Sequence, residues 1–158
     1  MVRYFHARLA EIMKYGIDLL CCNEDEAMLF SQTSNVLMAC QKLRLVADTF
    51  LVTQGPRGSI VYDGNRFYDI AAHDVPVVDT VGAGDMYAGG FIFAITHGYD
   101  YETAGIIADI VASKVISKFG PRLNDQEVEE VKIEVADFLE EQNHCDFSQE
   151  LVLVGEAG

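Results

Sequence analysis

The segment Asp79-Thr80-Val81-Gly82-Ala83-Gly84-Asp85 concentrates more chemistry than any other in the chain. Its small residues let the backbone come close to a ligand, and an apolar stretch of helical length, Met86 to Thr96, follows at once. A helix start presents unpaired N–H groups and the positive end of its dipole, so this turn suits an anion, phosphate above all. A carboxylate in the same turn would repel a phosphate that merely rested there. It makes sense if Asp85 takes a proton. When a phosphoryl group moves to an alcohol, the attacking hydroxyl loses its proton while N–H donors and a metal ion meet the charge on the moving group.

A structural reading stays open beside this one, in which the glycines shape a turn and an Asp caps a helix. Two other phosphate loops do not fit. The dinucleotide fingerprint needs a third glycine where Tyr87 stands, and the Walker A loop needs a Gly-Lys-Ser/Thr ending that is absent here. Ser59 follows Gly58 without the G-x-S-x-G frame, so it is not read as a hydrolase nucleophile. His6, His73, His97 and His144 are scattered, and no chemistry is assigned to them. Cys21, Cys22, Cys40 and Cys145 show neither a C-x-x-C pair nor a His at zinc spacing, and read as reduced, mostly buried thiols.

Elements must hold the turn in place. Apolar residues from Phe5 to Tyr15 recur at helical spacing until Gly16, and Ile17 to Cys22 is a run of strand length. Asn23 then turns the chain into a helix-prone stretch, Glu24 to Phe30, and a second helix is expected over Ser34 to Ala47 with Ser34 as its cap. Thr49 to Thr53 reads as a strand, after which Gly55 and Gly58 break the chain. Asp63-Gly64-Asn65 is turn chemistry, so Ser59 to Tyr62 and Arg66 to Ile70 form a hairpin; Val75 to Val78 is one more short extended piece. Helices are expected over Tyr101 to Lys118, ended by Gly120-Pro121, and over Asn124 to Gln142, where Asn124 and Glu127 have capping-box spacing. The pattern predicts an α/β fold of three αβα layers around a mostly parallel sheet. Residues 1–142 form the nucleotide-binding portion and residues 143–158, without clear periodicity, a tail.

With 158 residues, half of them hydrophobic, the chain can build one packed domain. A formal net charge of −14 and the lack of any Lys/Arg run argue against nucleic acid and against an anionic membrane surface. The apolar runs are too short to span a bilayer and the N-terminus lacks a signal-peptide pattern, so a cytoplasmic location is expected.

Asp79 to Asp85, followed by Met86-Tyr87-Ala88-Gly89-Gly90-Phe91, resembles the C-terminal signature of the ribokinase-like (PfkB) family of sugar and nucleoside kinases: D-T-x-G-A-G-D, then a helix start of small and aromatic residues. The resemblance implies Asp85 as the base, the amides of Gly82, Ala83 and Gly84 as an anion hole, and a monovalent cation such as potassium near Asp79. Asn23-Glu24-Asp25-Glu26 resembles the family's N-x-x-E motif, in which Asn23 and Glu26 would act on magnesium through water; by itself it reads as a helix cap with an acidic first turn. Thr53-Gln54-Gly55-Pro56-Arg57-Gly58 resembles the T-x-G-x-x-G loop, which implies that Thr53, Gly55 and Gly58 line ATP. Many relatives carry Asn near the adenine where this chain has Asp109.

The resemblance therefore implies transfer of the γ-phosphoryl group of ATP-Mg to a hydroxymethyl group of a sugar or nucleoside. Ile95-Thr96-His97-Gly98 and Phe119-Gly120-Pro121-Arg122-Leu123 are similar to an adenosine-kinase-like or general sugar-kinase branch. It extends over about residues 1–140 and over only the latter half of a family member. The N-terminal half and its β-sheet lid have no counterpart before Asn23. A non-catalytic nucleotide-binding remnant stays open as the alternative, and such a chain should expose apolar surface and associate, possible homo-oligomers included.

Overall fold

The structure is a computed structural model that describes residues 8–9 and 11–155, with the side chains of 143–155 left aside. Its sheet has four strands in the order β1 (Leu19–Asn23), β2 (Thr49–Thr53), β3 (Ser59–Tyr62) and β4 (Phe67–Ile70). The described residues divide after Pro121 into two compact units, each taken by itself below.

Only β1 and β2 pair in parallel; β2–β3 and β3–β4 are antiparallel. The sheet among the described residues is thus mixed, not mostly parallel as expected. The reason is the hairpin: Asp63 Oδ1 accepts the amides of Asn65 and Arg66 at 2.7 and 2.8 Å, and Gly64 takes φ +97°, so the chain reverses within one turn. The crossover from β1 to β2 is made by two short helices, α1 (Glu24–Phe30) and α2 (Val36–Leu43).

Alternation along the strands separates the two faces. Phe50 and Val52 lie opposite Tyr62 and Ile60, and this face packs on Ala27 of α1 and on Ala39, Cys40 and Leu43 of α2. Phe50, Tyr62 and Phe67 close its outer end with ring centroids 4.7–6.0 Å apart. The other face carries Leu51, Ser59, Val61 and Ile70 and is covered by α3 (Ala83–Thr96) and α4 (Tyr101–Ile116). A Cβ on Gly105 of α4 would come within 2.7 Å of Ile70 Cγ1, so glycine sets how closely that helix approaches the sheet. Helices on both faces give the three-layer arrangement that the sequence predicts. Helix α3 nevertheless leaves Ile92 and Phe93 exposed, 46% and 57% accessible.

Local capping chemistry decides the helix starts. Asn23 caps α1, and Asp100 caps α4 by accepting the Thr103 amide at 2.8 Å. The cap of α2 is Asn35, which accepts the Met38 amide at 3.0 Å, and not Ser34 as expected. Val75 to Val78 is not a strand. Pro76 removes a donor, and the Val78 and Asp79 amides bond instead to Ile116 O at the end of α4, at 2.7 and 3.2 Å. Upstream, residues 8–9 and 11–13 are helical, while residues 5–7 and 10 of the expected first helix lie outside the described residues.

In the second unit, α5 (Asp125–Gly155) starts on the expected capping box: Glu127 N donates to Asn124 Oδ1 at 3.0 Å and Asn124 N to Glu127 Oε2 at 2.7 Å. The helix continues beyond Gln142 through Gly155, because nothing before that glycine stops it and extending a helix costs far less than starting one. Among the described residues no helix is long and apolar enough to cross a membrane.

Candidate active site

The glycine turn begins with a carboxylate used as scaffold. Asp79 Oδ1 accepts the Val81 amide at 3.0 Å, and Oδ2 accepts the Gly120 amide at 3.2 Å, so one side chain fixes both the turn and the loop after α4. The Val81 amide, followed by that of Gly120, holds the Asp79 carboxyl below the usual aspartate range. Gly82 then takes φ +82° as the N-cap of α3, where its missing side chain makes room for Pro121: a Cβ would lie 2.5 Å from Pro121 Cβ. The Gly120-Pro121 pair, which the sequence marks as a helix stop, also presses on the back of the turn.

Helix α3 starts at Ala83, three residues before the expected Met86, which places Asp85 in its first turn. The Ala83 amide is taken by Thr80 O at 3.2 Å, while helix geometry leaves those of Gly84 and Asp85 without an intrahelical acceptor. No side chain caps this helix. Asp85 is exposed and makes no hydrogen bond or ion pair to the described residues. The capping role that an Asp could serve here is therefore not the one this carboxylate performs.

Beneath the turn, Tyr87 occupies the position where a dinucleotide fingerprint has its third glycine. It is buried, its hydroxyl lies 2.5 Å from Ser59 Oγ and donates to Gly105 O at 3.1 Å, and so pins α3 to both β3 and α4. Burial pushes the Tyr87 phenol well up, against the opposing hydrogen bond of Ser59.

A cleft of about 520 Å³ opens beside the turn. Six of the sequence-predicted site residues line it: Thr53, Gly55, Gly58, Ala83, Gly84 and Asp109. Gly58 adopts φ +86° because a Cβ would fall 1.9 Å from Ile70 O; the loop lies tight against the end of β4. Gly82 and Asp85 flank the lining residues Ala83 and Gly84 but are not themselves in the wall.

Asn23, Glu26 and Asp79 are also outside that wall. Asn23 is nonetheless the register partner of Thr53, so the two motif starts sit side by side at the C-terminal ends of parallel strands, where open α/β sheets place ligands. Asn23 and Glu26 form the capping box of α1, with Glu26 N donating to Asn23 Oδ1 at 2.9 Å and Asn23 N to Glu26 Oε2 at 3.2 Å. Arg57 ties the glycine loop to α1 through an ion pair with Glu24, a contact no motif announces.

The structure adds one residue that the sequence left without a role. His73, in the irregular segment after β4, lines the cleft and meets Asp109 through its backbone amide at 2.8 Å and through Nδ1. Asp109 is buried on α4, and His73 lies 36 residues earlier, so no local spacing could reveal the pair. Three of the cysteines stay chemically quiet: burial raises Cys22 and Cys40 to about 12 and about 11, and Cys21 in the same direction, while the side chain of Cys145 lies outside the described residues. Among the described residues, Cys21, Cys22 and Cys40 are free.

A sheet layered between helices, with a glycine-lined helix start opening on a cleft at the strand ends, defines an α/β protein whose cleft lies where open sheets place their ligands. The chain belongs to the pfkB family of carbohydrate kinases, whose model matches residues 4–128. It is 32% identical over 124 residues to a nucleoside kinase of Methanocaldococcus jannaschii, an alignment covering 77% of this chain and 40% of that one. The adenosine kinase structure from Sinorhizobium meliloti superposes with a TM-score of 0.79 at 30% identity, over 84% of this chain and 41% of the other. A probable sugar kinase from Rhizobium etli gives the same TM-score at 29% identity, again over 84% and 41%. The fold is thus the ribokinase-like α/β fold, and the chain spans about two fifths of the length of these relatives.

Proposed function

We propose that this chain supplies the nucleotide cleft and the proton acceptor of an ATP-dependent kinase whose acceptor is an alcohol group of a sugar or nucleoside. The observation that carries the reading is the free carboxylate of Asp85 in the same helix turn as the open amides, at the edge of the cleft that Thr53, Gly55 and Gly58 line. An Arabidopsis thaliana ribokinase solved with ribose and ATP, 26% identical with a TM-score of 0.65, supports ATP as the donor.

In this reaction Asp85 accepts the proton of the attacking hydroxyl. The alcohol oxygen forms a bond to the γ-phosphorus, the bond from that phosphorus to the bridging oxygen breaks, and ADP leaves with the electron pair. The amides at the start of α3, from Gly82 to Gly84, meet the charge on the moving phosphoryl group, that of Ala83 by giving up its bond to Thr80 O. Magnesium, when bound, neutralises charge on the β- and γ-phosphates. Asn23 and Glu26 suit it as oxygen donors acting through water, since the capping box uses only one carboxylate oxygen of Glu26. Asp79 serves to set the turn through its bonds to the Val81 and Gly120 amides.

Titration calorimetry with ATP-Mg, beside transfer assays on a panel of sugars and nucleosides, tests the assignment. Asp85→Asn should lower turnover by about 10²–10⁴-fold while leaving nucleotide affinity nearly unchanged. An unchanged rate would end it. A second reading, nucleotide binding by these 158 residues without transfer, is favoured by their match to about 40% of each relative's length. Heat on titration with no turnover on any acceptor would select that reading.

A further inference from the structure

Resting on the nucleotide reading above, we infer that Arg57 binds the phosphates of the donor nucleotide and that Glu24 competes with them for its guanidinium. The inference starts from a shortage of positive charge. A nucleoside triphosphate is a polyanion, and the chain that receives it already has a formal net charge of −14. No Lys or Arg lines the cleft, and the amides at the start of α3 offer only partial charge. Arg57 stands between two residues that do line it, Pro56 and Gly58.

Its backbone is pinned while its side chain stands in solvent. Gly55–Arg57 is a single 3-10 turn, closed by Gly58 N on Gly55 O at 3.0 Å and by Gln54 N on Gly58 O at 2.7 Å. The side chain is 63% accessible and meets Glu24 through Nη2. Glu24 follows Asn23, the register partner of Thr53, so the pair joins the two loops at the C-terminal ends of β1 and β2. An ion pair this open to solvent is weak. Phosphate oxygens accept the planar guanidinium fork as well as a carboxylate does, and they bring more charge. Swinging from Glu24 to the phosphates leaves the turn undisturbed, because only the Arg57 side chain moves. Until it does, the Glu24 carboxylate opposes binding. A purely structural tie would make both partners support nucleotide binding; competition gives them opposite signs.

The test is calorimetric titration of the full chain with ATP-Mg, inorganic triphosphate and adenosine. Arg57→Gln should weaken ATP-Mg and triphosphate by about tenfold, the size of one hydrogen bond to a charged group, and leave the affinity for adenosine unchanged. Glu24→Gln should tighten both phosphate ligands by about two- to fivefold, the size of an exposed ion pair. Arg57→Lys, with the charge but not the fork, should fall between Arg57→Gln and the unsubstituted chain. Weaker ATP-Mg binding in both Arg57→Gln and Glu24→Gln, no change in either, or an equal loss for adenosine overturns the inference while the nucleotide reading stands. Failure of the unsubstituted chain to bind any of the three ligands overturns both. The sign of the Glu24→Gln effect decides the matter even if Arg57→Gln does not fold.

Discussion

Replacing Gly82 by alanine adds a single methyl group at the point where the phosphate turn, the first turn of α3 and the Gly120-Pro121 loop meet. Two penalties add. The residue holds φ +82°, a left-handed conformation that costs an alanine about 1–2 kcal/mol. The new Cβ would also lie 2.5 Å from Pro121 Cβ and 3.1 Å from Pro121 Cα, well inside the contact distance of two carbons, and overpacking of this kind costs about 1–3 kcal/mol. The expected loss is therefore about 2–5 kcal/mol, a large part of what holds a domain folded. Gly84, two residues on, is the internal control. Its added Cβ meets nothing within 4 Å and its φ is ordinary, so alanine there should be neutral or stabilise by up to about 1 kcal/mol. Urea denaturation followed by circular dichroism reads both: the midpoint falls for Gly82→Ala at constant slope and holds or rises for Gly84→Ala. Adding Pro121→Gly, which removes the Cβ at 2.5 Å, to Gly82→Ala should recover most of the steric part and none of the conformational part. Equal midpoints for the two glycine variants would refute the account of the turn.

Tyr87→Phe removes the hydroxyl that joins Ser59 and Gly105, and should cost about 1–3 kcal/mol because Ser59 is left buried without its partner. Combining it with Ser59→Ala should restore most of that loss, and denaturation midpoints check both steps. Asp79 predicts an acid limb. Its folded carboxyl titrates below the ordinary aspartate value of about 3.9, so its contribution is complete above that value and is lost as the pH falls through the lower, folded one. Carboxyl NMR should find a depressed midpoint that Asp79→Asn removes, and a titration at or above the ordinary value would contradict the bonds to Val81 and Gly120.

Much of this molecule is written in short-range rules. The Asp63-Gly64-Asn65 hairpin and the Asn124–Glu127 box follow from residues within three positions of one another, and the structure has both. The start of α2 shows how narrow such rules are. Ser34 and Asn35 are both cap-competent, and Asn35 wins because its own amide is held by Thr33 Oγ1 at 3.3 Å while its side chain reaches Met38. Val75 to Val78 is not a strand for the opposite reason: the Val78 amide, with that of Asp79 beside it, is claimed by Ile116, far along the chain, which no periodicity encodes. The candidate site divides along the same line. The glycine turn is legible because a backbone that approaches an anion restricts residue type at consecutive positions. What lies behind it is not. Pro121 against Gly82, Arg57 on Glu24 and His73 on Asp109 join segments 33 to 39 residues apart, and each is ordinary when read alone. His73 illustrates the consequence. As a lone histidine it carries no signal, yet once the fold sets it on a buried carboxylate it becomes half of the only His–Asp pair among the described residues, in the wall of the cleft.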